Sequence, residues 1–158
     1  MNKYNEIKDQ INTNLNYQKF KDELLKSINT NGKMIQITNK LDIDNENGNE
    51  LDIMELINII VEDSTIEIKE EGVYGIYFNS DAYSFLTITL SVLKKKNAAI
   101  LCTDLYNYAS INLIYALVHD ILKQVKLDGI IYLQNDAKEN FFNNLNKEYI
   151  KLDLEDKS

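Results

Sequence analysis

The sequence predicts an α/β fold: one three-layer domain with a mixed, mostly parallel sheet. Three observations lead there. The three longest apolar runs, Val73 to Phe78, Ala98 to Cys102 and Gly129 to Leu133, are short enough for buried strands and rich in β-branched or aromatic residues. The segments between them are long enough for crossover helices, and each run is followed by Ser, Asp, Thr or Asn, the residues that cap helices. At 158 residues with 44% apolar content, the chain can bury one real core. We therefore read residues 1–158 as a single domain, with an N-terminal helical segment at 1–30 and a charged tail at 155–158.

The elements follow in order. Ile7, Ile11, Leu15, Phe20, Leu24, Leu25 and Ile28 suit one helix or two, broken near Asn12 to Asn16, with Tyr17 to Ile28 the safer piece. Asn31 and Gly32 supply a turn, and Lys33 to Thr38 alternates like a strand. Leu41 to Glu50 reads as a polar loop, and Leu51 to Val61 as a helix with Ile53, Leu56, Ile57 and Ile60 inward. Thr65 to Lys69 alternates as well and would pair with Val73 to Phe78 in a hairpin. Val73 to Phe78 is apolar on both faces, which predicts a central strand.

Residues 82–93 fit two patterns. Ala82, Phe85, Leu86, Leu90 and Leu93 make a helical stripe that starts at Ser80 and Asp81 and ends at Lys94 to Lys96, as the helix dipole favours. Leu86, Ile88, Leu90 and Val92 also alternate with Thr87, Thr89 and Ser91, a strand pattern. The helix is preferred because caps and terminal charges agree with it; a strand at 84–93 would instead give an α+β fold with an antiparallel meander. Helix 106–126 has one face of Leu113, Ile114, Leu117, Ile121 and Val125 and another of Tyr108, Tyr115, His119 and Leu122. It must be covered on both sides or make a homo-oligomer contact. Asn135 and Asp136, then a helix to about Leu145, and an edge strand at Tyr149 to Leu154 precede the charged tail.

Composition sets limits on function. All 17 basic residues are Lys, and Pro and Trp are absent, as in the product of an AT-rich genome. Without Arg there is no guanidinium fork for a carboxylate or phosphate. The single Cys102 allows no internal disulfide, the N-terminus lacks a signal-peptide core, and no window nears the roughly 18 apolar residues of a membrane span. These features predict a cytoplasmic protein. Net charge is −8, and residues 41–71 alone hold 11 acids against one Lys, whereas residues 1–40 hold 7 Lys against 4 acids. That field repels a nucleic-acid backbone and attracts a basic partner.

Four constellations invite chemistry. In an open parallel sheet the ligand crevice lies at the carboxyl ends of the strands, where this chain places Ser80, Asp81, Thr103, Asp104 and Asp136, a set able to hold a hydrated cation or a polar substrate. The same residues are what helix caps require, and neither a Gly-rich loop nor a cation stands at these three strand ends. Cys102 and His119 as nucleophile and base read better as core residues. Asp42, Asp44 and Glu46 are weak metal ligands: Gly48 falls one place late for a calcium loop, and Ile53 stands where its closing Glu belongs. Glu67-Ile68-Lys69 matches a fragment of a nuclease strand and nothing more.

The acidic segment is the feature that folding explains least. It predicts a small binding module that inhibits a basic protein by contact, in the manner of an immunity protein, antitoxin or anti-defence inhibitor, through Asp42, Asp44, Glu46, Glu50, Asp52, Glu55 and Glu62. No cofactor, metal or catalytic set is expected on that reading. The alternatives are a small enzyme or ligand sensor that uses Asp81, Asp104 and Asp136 with Ser80 and Thr103, and an oligomeric structural subunit that associates through helix 106–126.

Overall fold

The computed structural model describes residues 3–11, 15–46, 48–79, 81–104 and 108–155, and its elements are seven helices and four strands among those residues. In order they are α1 (Lys3–Ile11), α2 (Tyr17–Thr30), α3 (Gly32–Asp44), α4 (Ile53–Val61), β1 (Val73–Tyr77), α5 (Ala82–Lys94), β2 (Ala98–Thr103), α6 (Tyr108–Gln124), β3 (Ile131–Asn135), α7 (Lys138–Asn144) and β4 (Ile150–Asp153). The strands form one sheet in the order β3-β2-β1-β4, every pair parallel. The fold is α/β, as the three apolar runs predict.

Parallel strands need crossovers, and right-handed ones fix the faces. The steps from β1 through α5 to β2 and through α6 to β3 run in one direction, so α5 and α6 share a face. The return from β3 through α7 to β4 puts α7 on the other. Ring contacts agree: Phe78 lies 6.2 Å from Phe85 of α5, whereas Tyr77 lies 6.5 and 6.4 Å from Phe141 and Phe142 of α7. Helix α1 joins α7, with Tyr4 edge-on to Tyr149 at 5.0 Å. Gly75 of β1 faces that side, where an added Cβ would overlap Leu145.

Outside α5 and α6 lies a further layer that the sequence does not predict. Helix α2 packs on α4 and α6, α3 on α6, and α4 on α5. Helix α6 is thus covered by the sheet on one side and by α2 and α3 on the other, which accounts for its apolar circumference. Nine of the thirteen residues of α5 are buried, including Thr89 and Ser91. That explains its double pattern: a helix buried on nearly every side shows no clean period. Its cap decides the matter, since the carboxylate of Asp81 accepts from the Ser84 backbone N–H and hydroxyl, both at 2.8 Å.

Three local expectations are corrected. Residues 33–38 are not a strand but the start of α3, and the supposed loop at 41–44 is its last turn. Asn31 joins α2 to α3, its side-chain amide donating to the Ser27 carbonyl at 2.8 Å, so the Asn-Gly pair divides two helices rather than opening a strand. The buried side chains of α3 are Ile35, Asn39 and Asp42, at helical spacing, while Ile37 is 55% exposed. Thr65 to Lys69 forms no strand either. The Ile66 N–H donates to the Ser91 hydroxyl and Ile68 is buried, so this segment lies along α5 and β1 pairs instead with β4. That removes the antiparallel hairpin and leaves the sheet wholly parallel. Finally, Gly129 to Leu133 is not a fully buried strand: β3 begins at Ile131 on the sheet edge and leaves Tyr132 exposed beneath the Lys3 ammonium, 3.4 Å away.

Candidate functional site

Four strands end on the same crest. Phe78 N–H donates to the Cys102 carbonyl at 3.1 Å, Thr103 hydroxyl to the Phe78 carbonyl at 3.1 Å, and Leu154 N–H to the Tyr77 carbonyl at 2.7 Å. The Asn135 amide donates to the Asp104 carbonyl at 3.2 Å. These bonds hold the strand ends in register. Between the crest and α6, Thr103, Ile111, Asn112, Leu133, Gln134 and Asn135 line a cleft of about 40 Å³, room for a single small polar group.

The predicted crest residues reach this end of the sheet but do not converge on a metal. Asp81 is committed to the α5 cap. Asp136 turns toward α7, accepting from Ala137 N–H at 2.8 Å and from the Asn140 amide at 3.4 Å. Thr103 is buried and Asp104 is exposed. Ser80 lies outside the described residues. Among the described residues no three His, Cys, Asp or Glu side chains are placed to hold a metal ion.

On the α7 side stand residues that the sequence reading missed. The Lys138 ammonium lies 2.7 Å from Glu155 and 3.0 Å from Asp153, and 5.6 Å from the centre of the Tyr77 ring. The hydrogen bonds it donates to Glu155 and Asp153 raise its pKa, while burial, and then the charges of Asp104 and Glu155, raise that of Tyr77. A cation therefore does stand at the crest, in the first turn of α7. It stands two residues past Asp136, and its carboxylate partners are not legible in the sequence because they require knowing that β4 runs parallel to β1 and brings Asp153 to the same end.

Cys102 and His119 cannot work together. Cys102 pairs in register with Tyr77, so its thiol points to the α7 face, 3.6 Å from the Asp136 carbonyl, and burial pushes its pKa up to about 12. His119 belongs to α6 on the opposite face, beside Tyr115. A buried thiol of that kind is inert.

Of the seven acids expected to face a partner, one turns inward. Asp42 is 2% exposed and closes the N-terminus of α6, accepting from Ala109 N–H at 2.8 Å, Ser110 N–H at 3.0 Å and the Ser110 hydroxyl at 2.7 Å. It is lost both as a partner-binding residue and as a calcium ligand. Asp52 caps α4 by accepting from Met54 N–H at 2.9 Å. Asp44, Glu46, Glu50, Asp52, Glu55 and Glu62 are exposed.

No protein-family profile and no curated protein sequence matches the chain. Solved structures do. The γ-glutamyl phosphate reductase of Thermotoga maritima superposes with a TM-score of 0.78 at 15% identity, covering 99% of this chain and 47% of that one. The enzyme of the same name from Saccharomyces cerevisiae gives 0.72 at 15% identity, covering 98% of this chain and 50% of that one. The likeness is one of fold. This chain spans about half the length of these reductases. The expectation of an inhibitor acting by contact is thereby corrected: the solved chains that share the fold are enzymes, and two of the acids that motivated it, Asp42 and Asp52, cap helices of the chain itself.

Proposed function

We propose that this chain is the ligand-binding α/β half of a small-molecule enzyme of the cytoplasm, and that its crest takes an uncharged or cationic molecule rich in hydrogen-bond donors. One observation carries the reading. The N-termini of α5 and α6, two of the three positive helix ends that reach the crest, are closed by the chain's own carboxylates, Asp81 and Asp42, and the third, that of the seven-residue α7, starts beside Asp136. An incoming phosphate would have to displace them.

A reductase needs an electron donor, and open parallel sheets hold dinucleotides at this place. The residues present here do not fit a pyrophosphate. No Gly-rich turn follows β1, and Lys138 is already shared by two carboxylates. Hydroxyl and amine groups fit better: Asp104 stands exposed at the end of β2, and Thr103, Asn112 and Asn135 border a cleft of the right size for one such group.

The test is an amide-resolved NMR titration of the full chain with adenosine, putrescine and ADP. Adenosine or putrescine should move the amides of Thr103, Asp104, Asn112 and Asn135, ADP should do so more weakly, and Asp104→Asn should reduce the response severalfold. ADP binding the crest as tightly as adenosine, or responses indifferent to Asp104→Asn, would sink the reading.

A further inference from the structure

The opposite end of the sheet carries a second groove, of about 490 Å³, between α1 and the amino ends of β1 and β2. We propose that it binds a small multivalent anion. Lys8, Lys95 and Lys96 line it together with one carboxylate, Glu71, so the groove keeps a surplus of two positive charges in a chain of net charge −8. The negative end of the α5 dipole offsets about half a charge of that surplus and no more.

The cations are held by a built turn rather than by loose chain. Helix α5 ends with Lys96 N–H donating to the Leu93 carbonyl and Asn97 N–H to the Val92 carbonyl, both at 3.0 Å, which puts Lys96 in the left-handed region at φ 58°. Asn97, 2% exposed, pins this turn to the start of β1: its side chain accepts from Gly72 N–H at 3.0 Å and donates to the Glu70 carbonyl at 3.2 Å. Lys8 comes from α1, its ammonium 5.8 Å from the Tyr4 ring. Among the described residues three lysines meet carboxylates: Lys21 and Lys94 reach Asp63, and Lys138 reaches Asp153 and Glu155. Among the described residues Lys8, Lys95 and Lys96 join no ion pair.

The fold provides its own control. Lys126, at φ 63°, takes the same position after α6 and lies outside the groove. Lys96→Gly and Lys126→Gly remove the same charge from the same backbone conformation, and glycine suits both, so neither variant should unfold. Calorimetric titration of the full chain with pyrophosphate at low salt should show Lys96→Gly and Lys8→Ala each weakening affinity about fivefold, and Lys126→Gly leaving it unchanged. Citrate in place of pyrophosphate identifies the anion: a response to pyrophosphate alone assigns phosphates, and an equal response assigns polycarboxylates as well. Equal losses in Lys96→Gly and Lys126→Gly, or no loss in Lys96→Gly and Lys8→Ala, would overturn the proposal.

Discussion

The two ends of the sheet obey one electrostatic rule and come out differently. At the carboxyl ends, the positive N-termini of α5 and α6 meet Asp81 and Asp42, and the nearby Lys138 is enclosed by Asp153 and Glu155. At the amino ends, the negative C-termini of α5 and α6 are answered by Lys94 to Lys96 and by Lys123 and Lys126. There, among the described residues, Lys94 meets a carboxylate, Asp63, while Lys95 and Lys96 face a groove. Complementing a helix dipole thus has two outcomes. A short Asp side chain turns back onto the backbone and is used up, whereas a long Lys side chain leaves the helix end and stays available.

The largest effect should come from removing the buried carboxylate. Asp42→Ala removes, under α3, the acceptor of two backbone N–H groups and of one hydrogen bond from the Ser110 hydroxyl. At about 1 to 3 kcal/mol for each stranded group, with partial relief by water, the expected loss is about 3 to 5 kcal/mol in urea unfolding. Asp42→Asn keeps one acceptor oxygen and should lose roughly half as much. A loss below about 1 kcal/mol for the alanine variant would show that α3 does not depend on this contact.

Asp81→Ala breaks the comparison more directly. The cap is partly exposed and should cost about 1 to 2 kcal/mol. It also uncovers the N-terminus of α5, so the crest should start to behave like the other end of the sheet. Pyrophosphate should then shift the amides of Ala82 to Ser84 in the variant and leave them unmoved in the parent chain. Unmoved amides in both would mean that the surrounding acids, and not the cap, exclude anions there.

This contrast also explains what the sequence could and could not disclose. β1 and β2 were legible because they are buried on both faces and so read as unbroken apolar runs, and α5 because its cap and terminal lysines agree. Helix α3 was not. Its Ile35 and Ile37 alternate like a strand over a few residues, and what settles it is a contact between Asp42 and Ser110 across 68 positions. Within a run of eleven acids nothing local marks Asp42 as the one that turns inward. The crest residues Asp81, Thr103, Asp104 and Asp136 fell where the rule for parallel sheets puts them. Glu155 did not, because the strand that brings it there, β4, returns to pair with β1 rather than extending the sheet at β3, and Lys138 is the first residue of α7, two positions beyond Asp136.

Asp63 marks the place where the amino end resembles the crest. It sits at φ 52° and receives Tyr17 at 2.6 Å, Lys94 at 2.6 Å and Lys21 at 3.4 Å. Burial opposes its charge, but hydrogen bonds from Lys94 and Tyr17 and the charge of Lys21 outweigh that and hold its pKa at about 2, below the ordinary 3.8. The unfolded chain therefore takes up this proton more readily. The stabilisation is complete above about pH 4 and fades as pH falls toward about 2. Partial exposure reduces it to about 1 kcal/mol, and Asp63→Asn should flatten that part of the pH dependence of urea unfolding. An unchanged acid profile would detach the cluster from stability.

The smallest effect isolates the backbone from the charge. Glu46, Asp63, Lys96 and Lys126 all have positive φ, where a side chain costs energy that glycine avoids. Asp63 recovers that cost through its three partners; Lys126 has no ion pair among the described residues. Lys126→Gly should therefore stabilise the chain by up to about 1 kcal/mol, a rise in Tm of about 2 to 4 °C. Lys96→Gly should gain as much in the absence of ligand and yet lose its response to pyrophosphate. If instead Lys96→Gly lowers Tm while Lys126→Gly raises it, the turn at Lys96 depends on its side chain for folding, and the two helix ends are not equivalent after all.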